Sequence, residues 1–445
     1  MTKDFKVLMT AVPRIKYDLT MHYRYTDFGE TIGFLKNLPQ VHVDVLDGAV
    51  MNYLVRDYIS KFLENYDLVI FYAETAESKM TLEMADMCKK LSPKTKIAVY
   101  GDATLYIPQF FTREPFDAVH VSGDQDIVFA NYIQFLCDQS SSLFGLIIKD
   151  DSEWKNTEIG QLLASDKWAF PALDLLPIEE YKIFCNIKKV NTFDGSVYVA
   201  KGCKYGCAYC VVPRREGLPD RRRPINPLVD YLEVNRDVFD VYQLHAGTFT
   251  EDKRWVINFC GEIIKRQVDI RWKCTTRVDC LDEDCIKAMA EAGCKGINIG
   301  VESLSKNKTQ LTNKVAVAQL ENLSKLLDKY QIHSKAYIMI GMPNQSQEDF
   351  FFTIKILEEL NYSIRPTGYT PFQKLSKLST EELDQIDLEK WDRKSLFHEE
   401  VGFSFREFHE ILLLTQTARD TQAEIILDSK NSARKNHVVP AEIDF

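Results

Sequence analysis

The sequence predicts an α/β fold made of an N-terminal Rossmann-like domain, a partial (βα)6 barrel and a C-terminal helical region. Three features carry that expectation. Apolar, strand-length runs alternate with amphipathic stretches from residue 5 to about 138. The alternation lapses over 140–190, then restarts at 196 for six further units. From about 376 onward the pattern is helical and charged.

In the first block the strand candidates are FKVLMTAV (5–12), VHVDVLDG (41–48), DLVIFYA (67–73), KIAVYGD (96–102) and AVHVSGD (118–124). Amphipathic stretches such as 51–64, 76–91 and 125–137 lie between them. Near-continuous apolar strands separated by helices imply a parallel sheet covered on both faces. Several runs end in Gly, Asp or Thr, which gathers polar loops at the carboxyl edge, where open α/β sheets bind ligands. The stretch 140–190, with Trp168, Pro171 and Pro177 in apolar surroundings, reads as a linker packed across a surface.

The second block offers strands at SVYVAKG (196–202), VYQLHAG (241–247), DIRWKCTT (269–276), GINIGVE (296–302), HSKAYIMIG (333–341) and SIRPTGYTP (363–371). Helical patterns fall at 227–237, 252–266, 281–292, 316–329 and 346–360. Such units suggest a parallel barrel or part of one, with function at the strand carboxyl ends. FREFHEILLL (405–414) is the most amphipathic part of the C-terminal stretch, and the last dozen residues read as a tail. The expected domains are therefore 1–139, a linker over 140–190, a barrel over 191–375 and a helical region over 376–445.

Composition excludes several classes. The 445 residues carry 55 Lys and Arg against 65 Asp and Glu, a net charge of −10, which argues against broad nucleic-acid backbone binding. No apolar stretch reaches the ~18–20 residues of a membrane span. The opening MTKDFKVLM enters a strand-like run without a secretion-signal pattern, so a cytoplasmic protein is expected.

Eleven cysteines in such a chain do not suggest a disulfide framework. Eight are scattered, at 88, 137, 185, 260, 274, 280, 285 and 294, mostly in apolar periodic runs where a small buried thiol is expected. The other three, Cys203, Cys207 and Cys210, fall together in GCKYGCAYC directly after the first strand of the second block. Gly202 and Gly206 permit the tight loop that aims sulfurs at one soft-metal centre. Zinc would want a fourth ligand at similar spacing, and none follows. An iron–sulfur cluster normally takes four cysteines. Three leave one iron open to a small molecule.

On these residues the chain resembles the radical S-adenosylmethionine (SAM) superfamily. Its signature is three cysteines at this spacing with an aromatic residue before the last, here Tyr209. CTTRVDCLDEDCIKAMAEAGC (274–294), NIGVES (298–303) and YIMIGMP (337–343) resemble the family's third, fourth and fifth barrel strands. VLDGAV (45–50), IAVYGDATLYIPQ (97–109), FDAVHVSGDQD (116–126) and CVVPRREGLPDRRRP (210–224) are similar to the class B subgroup, whose N-terminal domain is of the cobalamin-binding type.

The resemblance implies a [4Fe–4S] cluster held by Cys203, Cys207 and Cys210, with SAM on the fourth iron. One electron would cleave SAM to methionine and a 5′-deoxyadenosyl radical, and an external donor such as flavodoxin or ferredoxin would supply it. Arg277 is the candidate partner of the SAM carboxylate, because a guanidinium matches a carboxylate bidentately; the alternative is a surface arginine paired with Asp279 or Asp282. Glu302 would bond the ribose or amino group, or else serve as a structural acid at the barrel mouth. Tyr209, Gly341 and Met342 would line the adenine site. Where many members carry an acidic residue after the second strand, this chain has His245-Ala246-Gly247-Thr248, leaving Thr248 as the polar substitute. His245 is the candidate proton-transfer group, with a structural histidine as its alternative. Arg214, Arg215, Arg221, Arg222 and Arg223 would bind an anionic group or form a solvated loop.

No Asp-x-His-x-x-Gly string supplies a lower-axial histidine, although members of the subgroup bind cobalamin without one. The candidate corrin contacts are Thr75, Gly101, Asp102, Ala103, Thr104, Ser122 and Gly123. The departures Gly101-Asp102 and Ser122-Gly123-Asp124-Gln125 count against cobalamin, since Asp102 adds charge and bulk beside a flat ring.

The implied function is cobalamin-dependent methyl transfer to an unactivated carbon of a small-molecule or natural-product substrate. The alternative is a cobalamin-free dehydration, rearrangement or cyclisation enzyme with a vestigial N-terminal domain. A methylthiotransferase is disfavoured, because its second cysteine triad has no counterpart beside Cys88 and Cys137. An electron carrier or binding module would not require six strand–helix units.

Overall fold

The computed structural model describes residues 4–13, 25–51, 55–138, 142–187, 192–207, 209–304, 315–342, 345–391, 403–408 and 410. They form two compact units. The first comprises Met1–Tyr181, Tyr209–Pro219 and Thr370–Leu396; the second comprises Lys182–Ala208, Asp220–Tyr369 and Phe397–Phe445.

The first unit is built on seven strands: β1 (Phe5–Ala11), β2 (Val41–Asp47), β3 (Leu68–Tyr72), β4 (Lys96–Tyr100), β5 (Ala118–His120), β6 (Leu146–Asp150) and β7 (Glu153–Asn156). Their order is β2-β1-β3-β4-β5-β6-β7. The first five are parallel. β3 is buried along its whole length, as expected of a strand covered on both faces. Strand order reverses between β1 and β3, so the ligand crevice of this fold lies at their carboxyl ends.

The 140–190 stretch is more than a linker. β6 and β7 extend the sheet with antiparallel pairing. Asp151, at φ 53°, takes the left-handed turn of their hairpin, a conformation Asp tolerates better than most residues. Downstream, Ala169–Pro171 lies against a helix at Tyr25–Leu35, which the pattern did not single out. Gly29 and Gly33, one turn apart, permit that approach: a Cβ on Gly33 would meet the Phe170 carbonyl oxygen at 2.0 Å.

Thr370–Leu396, expected partly as barrel and partly as a separate helical region, falls in the first unit. Phe372, Leu375, Leu383 and Leu388 join the core formed by Leu8, Phe71, Val99 and Phe110. The Phe372 ring stacks on Tyr106 at 4.6 Å. Polar ties follow the same surface: Gln109 donates to the Leu378 carbonyl at 2.9 Å, and Arg113 pairs with Asp384 at 2.9 Å. Most of 392–445, including much of FREFHEILLL and the expected tail, lies outside the described residues.

His120, ending β5, is fully enclosed, with its ring nitrogen 3.1 Å from the Gly123 carbonyl oxygen. Burial pushes its pKa down to about 4, against smaller opposing effects of the Gly123 carbonyl and Asp124. The folded chain therefore refuses a proton that the unfolded chain accepts below about pH 6.5. Stability contributed by neutral His120 should be complete above pH 6.5 and fall by on the order of 3 kcal/mol as pH drops to about 4. Denaturation midpoints at pH 7 and 4.5 should separate less in His120→Gln than in wild type; equal separations would contradict this assignment.

The second unit centres on six parallel strands: β8 (Asp194–Tyr198), β11 (Val241–His245), β12 (Trp272–Thr276), β13 (Cys294–Glu302), β14 (His333–Ile340) and β15 (Ser363–Gly368). They neighbour one another in chain order, as a partial (βα)6 barrel requires. Helices at Ile225–Val234, Lys253–Arg266, Glu283–Glu291, Val317–Lys329 and Gln347–Glu359 occupy the five connections. A short antiparallel ribbon, β9 (Ala200–Lys201) with β10 (Arg221–Arg222), flanks the first of them. Asp252, Asp282 and Ser346 cap three of the helices through backbone N–H groups.

Trp272 anchors the barrel wall, fully buried, with its indole donating to the Ala292 carbonyl at 2.8 Å. Of the eight scattered cysteines, seven are buried as expected, and Cys137 is exposed. Cys260, Cys274, Cys285 and Cys294 are enclosed between strands and helices, where burial pushes the first three thiols well above their ordinary pKa. Among the described residues no helix is long and apolar enough to cross a membrane.

Candidate functional site at the barrel strand ends

The cysteine stretch follows β8 and β9, at the carboxyl edge of the parallel sheet, where loops are free to carry chemistry. Gly202 turns the chain at φ 90°, immediately before Cys203. Cys203 is buried, whereas Cys207 and Cys210 are half-buried. The Cys203 sulfur lies 3.8 Å from the Thr248 hydroxyl. Burial raises the Cys203 pKa, and hydrogen bonds from the Tyr205 backbone and Thr248 oppose that rise.

Among the described residues, no three Cys, His, Asp or Glu side chains are gathered closely enough to hold a metal ion. The fit is therefore a matter of donor chemistry. Three thiols on one short loop, two of them reachable from solvent, suit the soft irons of an iron–sulfur cluster better than any hard cation. Cys203 and Cys207 belong to the barrel unit, and Cys210 falls in the segment Tyr209–Pro219 of the first unit.

The remaining barrel candidates sit where the strands end. Thr248 is buried beyond β11. Its carbonyl, and that of Phe249, accept from Arg222 at 3.1 and 2.8 Å. His245 ends β11 half-buried, its ring 5.2 Å from that of Tyr198. Glu302 ends β13 at a register shift, in the left-handed region at φ 60°. A Glu held there marks local strain of the kind found at functional positions. Its carboxyl end folds back over Gly300, where an added Cβ would lie 3.0 Å from Oε1.

Gly341 and Met342 follow β14, and Gln345, which sequence reasoning missed, holds them in place. Gln345 Oε1 accepts from the Gly341 and Met342 amides at 2.7 and 3.2 Å, while Nε2 donates to the Met339 carbonyl at 2.9 Å. An amide side chain carries its acceptor and its donor on separate atoms, so it can do both at once. Its nearness to YIMIGMP was the one available signal.

Arg277 is tied to a neighbouring acid. Its Nε and Nη2 edge is taken by Asp279, at 2.9 and 2.7 Å, the pairing the sequence left as the alternative. The guanidinium also lies 4.0 Å from the centre of the Tyr205 ring. It holds the Asp279 carboxyl below the usual carboxylate range. Arg222 and Arg223 are also spent internally. Arg222 pairs with Asp220 at 2.6 Å, and buried Arg223 donates to the Tyr198 carbonyl at 2.6 Å.

In the first unit, Gly101 follows β4 at φ 126°, and a Cβ there would approach the Ala73 carbonyl oxygen to 2.4 Å. Thr104 donates to the Gly101 carbonyl at 3.0 Å, and Ala103 N–H to that of Ala73 at 3.1 Å. Thr75, Ala103 and Thr104 are buried. Asp102 lies 3.4 Å from Arg215, which answers the objection that its charge would stand bare. Arg214, one residue earlier, donates to the Leu105 carbonyl at 2.9 Å and covers the Tyr106 ring.

Ser122 and Gly123 are already used. Ser122 Oγ accepts from Gly160 N–H at 2.9 Å, and the Gly160–Gln161 backbone lies against Gly123. Small residues and a neutralised charge therefore suit the β3–β4 edge to a flat ring, whereas 122–123 serves chain packing.

Residues 197–357 match the model of the radical SAM superfamily. The barrel unit therefore carries a radical SAM domain. A radical SAM domain implies a [4Fe–4S] cluster and SAM. The chain is 24% identical over 329 residues to an uncharacterized methyltransferase of Pyrococcus horikoshii, covering 72% of this chain and 70% of that protein. It is 28% identical over 339 residues to the anaerobic magnesium-protoporphyrin IX monomethyl ester cyclase of Rubrivivax gelatinosus, covering 71% of this chain and 58% of the cyclase. The radical SAM methyltransferase TsrM of Kitasatospora setae, solved with cobalamin and a [4Fe–4S] cluster bound, shares the fold. That likeness has a TM-score of 0.66 at 15% identity and covers 89% of this chain and 82% of TsrM.

Proposed function

We propose that Cys203, Cys207 and Cys210 hold the cluster of this radical SAM enzyme, and that it performs cobalamin-dependent methyl transfer to an unactivated carbon of a small molecule. One observation carries the reading. A three-thiol loop leaves the first strand of an all-parallel six-stranded sheet at the same edge as Thr248, Glu302, Gly341 and Met342. When bound, the cluster supplies one electron to SAM, giving methionine and a 5′-deoxyadenosyl radical, and cobalamin supplies a methyl carrier.

The chain's own residues bind and orient. Thr248 donates toward the Cys203 sulfur, which favours its ionised form. Glu302 offers a carboxylate to the ribose or amino group of SAM, and Gly341 and Met342 offer the adenine a wall. Buried Met342 and the Gln345 staple keep that wall apolar and fixed, which limits water near a radical. His245 is the candidate for holding or moving a proton.

Cobalamin would lie against Thr75 and Gly101–Thr104, near the switch point of the first sheet. The Pyrococcus relative and TsrM, both named methyltransferases, favour methyl transfer. The similarity to a cyclase keeps direct use of the radical as the second reading. An external one-electron donor of the flavodoxin or ferredoxin kind completes the scheme.

Anaerobic reconstitution with iron, sulfide and hydroxocobalamin separates the readings. About one corrin retained per chain after desalting is expected. Retained iron without corrin would favour the cobalamin-free reaction.

A further inference from the structure

We propose that Arg277, Asp279 and Cys280, at the exit of β12, form a clamp on Tyr205 that positions the cluster loop, and that Arg277 acts through this clamp rather than on the SAM carboxylate. The proposal rests on the reading that the loop carries the cluster. Tyr205 lies midway between Cys203 and Cys207 in the sequence, so whatever fixes its ring limits how far both thiols can move.

Three contacts converge on that ring. The Arg277 guanidinium lies 4.0 Å from the ring centre, close enough for a strong cation–π contact. Asp279 grips the Nε and Nη2 edge of the guanidinium with two hydrogen bonds, at 2.9 and 2.7 Å, which fixes its plane. The Tyr205 hydroxyl reaches the Cys280 sulfur at 3.3 Å, and that thiol approaches Asp279 Oδ1 at 3.8 Å. Ring face and hydroxyl are thus both held by four consecutive residues, 277–280. The Arg277 side chain is only 23% exposed, so the contact is partly screened from water.

Asp279 already occupies the Nε and Nη2 edge of the guanidinium, so a SAM carboxylate would be left with the Nη1 side. The two roles predict different behaviour in the absence of SAM. A SAM ligand leaves the SAM-free cluster unaffected when removed; a clamp does not.

The experiment follows chelator-driven loss of visible cluster absorbance from the reconstituted enzyme without SAM, in wild type, Tyr205→Ala, Tyr205→Phe, Arg277→Ala and Arg277→Lys. Tyr205→Ala and Arg277→Ala should lose the cluster roughly tenfold faster, the rate equivalent of a partly desolvated cation–π contact. Tyr205→Phe, which keeps the ring, should stay near wild type. Arg277→Lys, which keeps the charge but not the plane, should fall between. Unchanged loss rates in both alanine variants, with weaker SAM binding in Arg277→Ala, would overturn the clamp. A wild-type chain that holds no iron would instead overturn the cluster reading. The clamp is then judged by peptide-mapped iodoacetamide labelling of Cys203: faster labelling in Tyr205→Ala supports it, and equal labelling overturns it.

Discussion

Replacing Cys203, Cys207 and Cys210 together with alanine is expected to lower iron content from about four atoms per chain to none after reconstitution. Formation of 5′-deoxyadenosine from SAM under reductant should fall to background with it. The fold should survive. Cys207 and Cys210 are half-buried, so only Cys203 leaves a buried gap, and one small side chain costs about 1 kcal/mol. Iron and sulfide assays, product analysis and a thermal melt on the same sample check this together. Retained iron with intact SAM cleavage would contradict the assignment of these thiols.

Gly101→Ala is expected to have the second large effect, on the first unit. The added methyl would meet the Ala73 carbonyl oxygen at 2.4 Å, and the backbone is held at φ 126°, where an L side chain is strained. Neither problem can be relieved by a side-chain rotation, because the opposing atom is backbone. Strain and overpacking together cost about 3 kcal/mol, or roughly 6–12 °C in melting temperature for a domain of this size. Retention of corrin should fall as well, since Gly101–Thr104 is the proposed contact edge. Differential scanning calorimetry and corrin content measure the two separately. An unshifted melt would mean that the turn after β4 is less constrained than its geometry indicates.

How much of this was legible in the sequence depends on distance along the chain. β3, β4 and all six barrel strands follow from apolar runs of the right length, because burial on both faces leaves little else for a parallel strand to be. The cysteine loop was legible because its spacing is local. The β6–β7 hairpin was also signalled locally, by Asp150-Asp151-Ser152 between two short runs, but its antiparallel pairing falls outside the parallel βα period.

What could not be read was the spending of side chains on distant partners. Arg215 is bound to Asp102, 113 positions away, and Lys273 to Asp194, 79 positions away. Composition showed a basic loop but not that its charges were committed. Arg277 shows the same limit at short range. Its partnership with Asp279 was visible as an alternative, while the Tyr205 ring beneath it, from another segment, was not. Thr370–Leu396 likewise follows the barrel in sequence and packs with the first sheet, through apolar residues that carry no mark of their partner.

The central claim is that three protein thiols leave one iron of the cluster open to SAM. The most direct measurement is the electron paramagnetic resonance spectrum of the reduced cluster, recorded anaerobically with and without SAM. A cluster with an open iron changes its g-values when the amino and carboxylate groups of SAM bind that iron. A cluster already closed by four protein ligands gives the same spectrum in both samples, and that result would contradict the account.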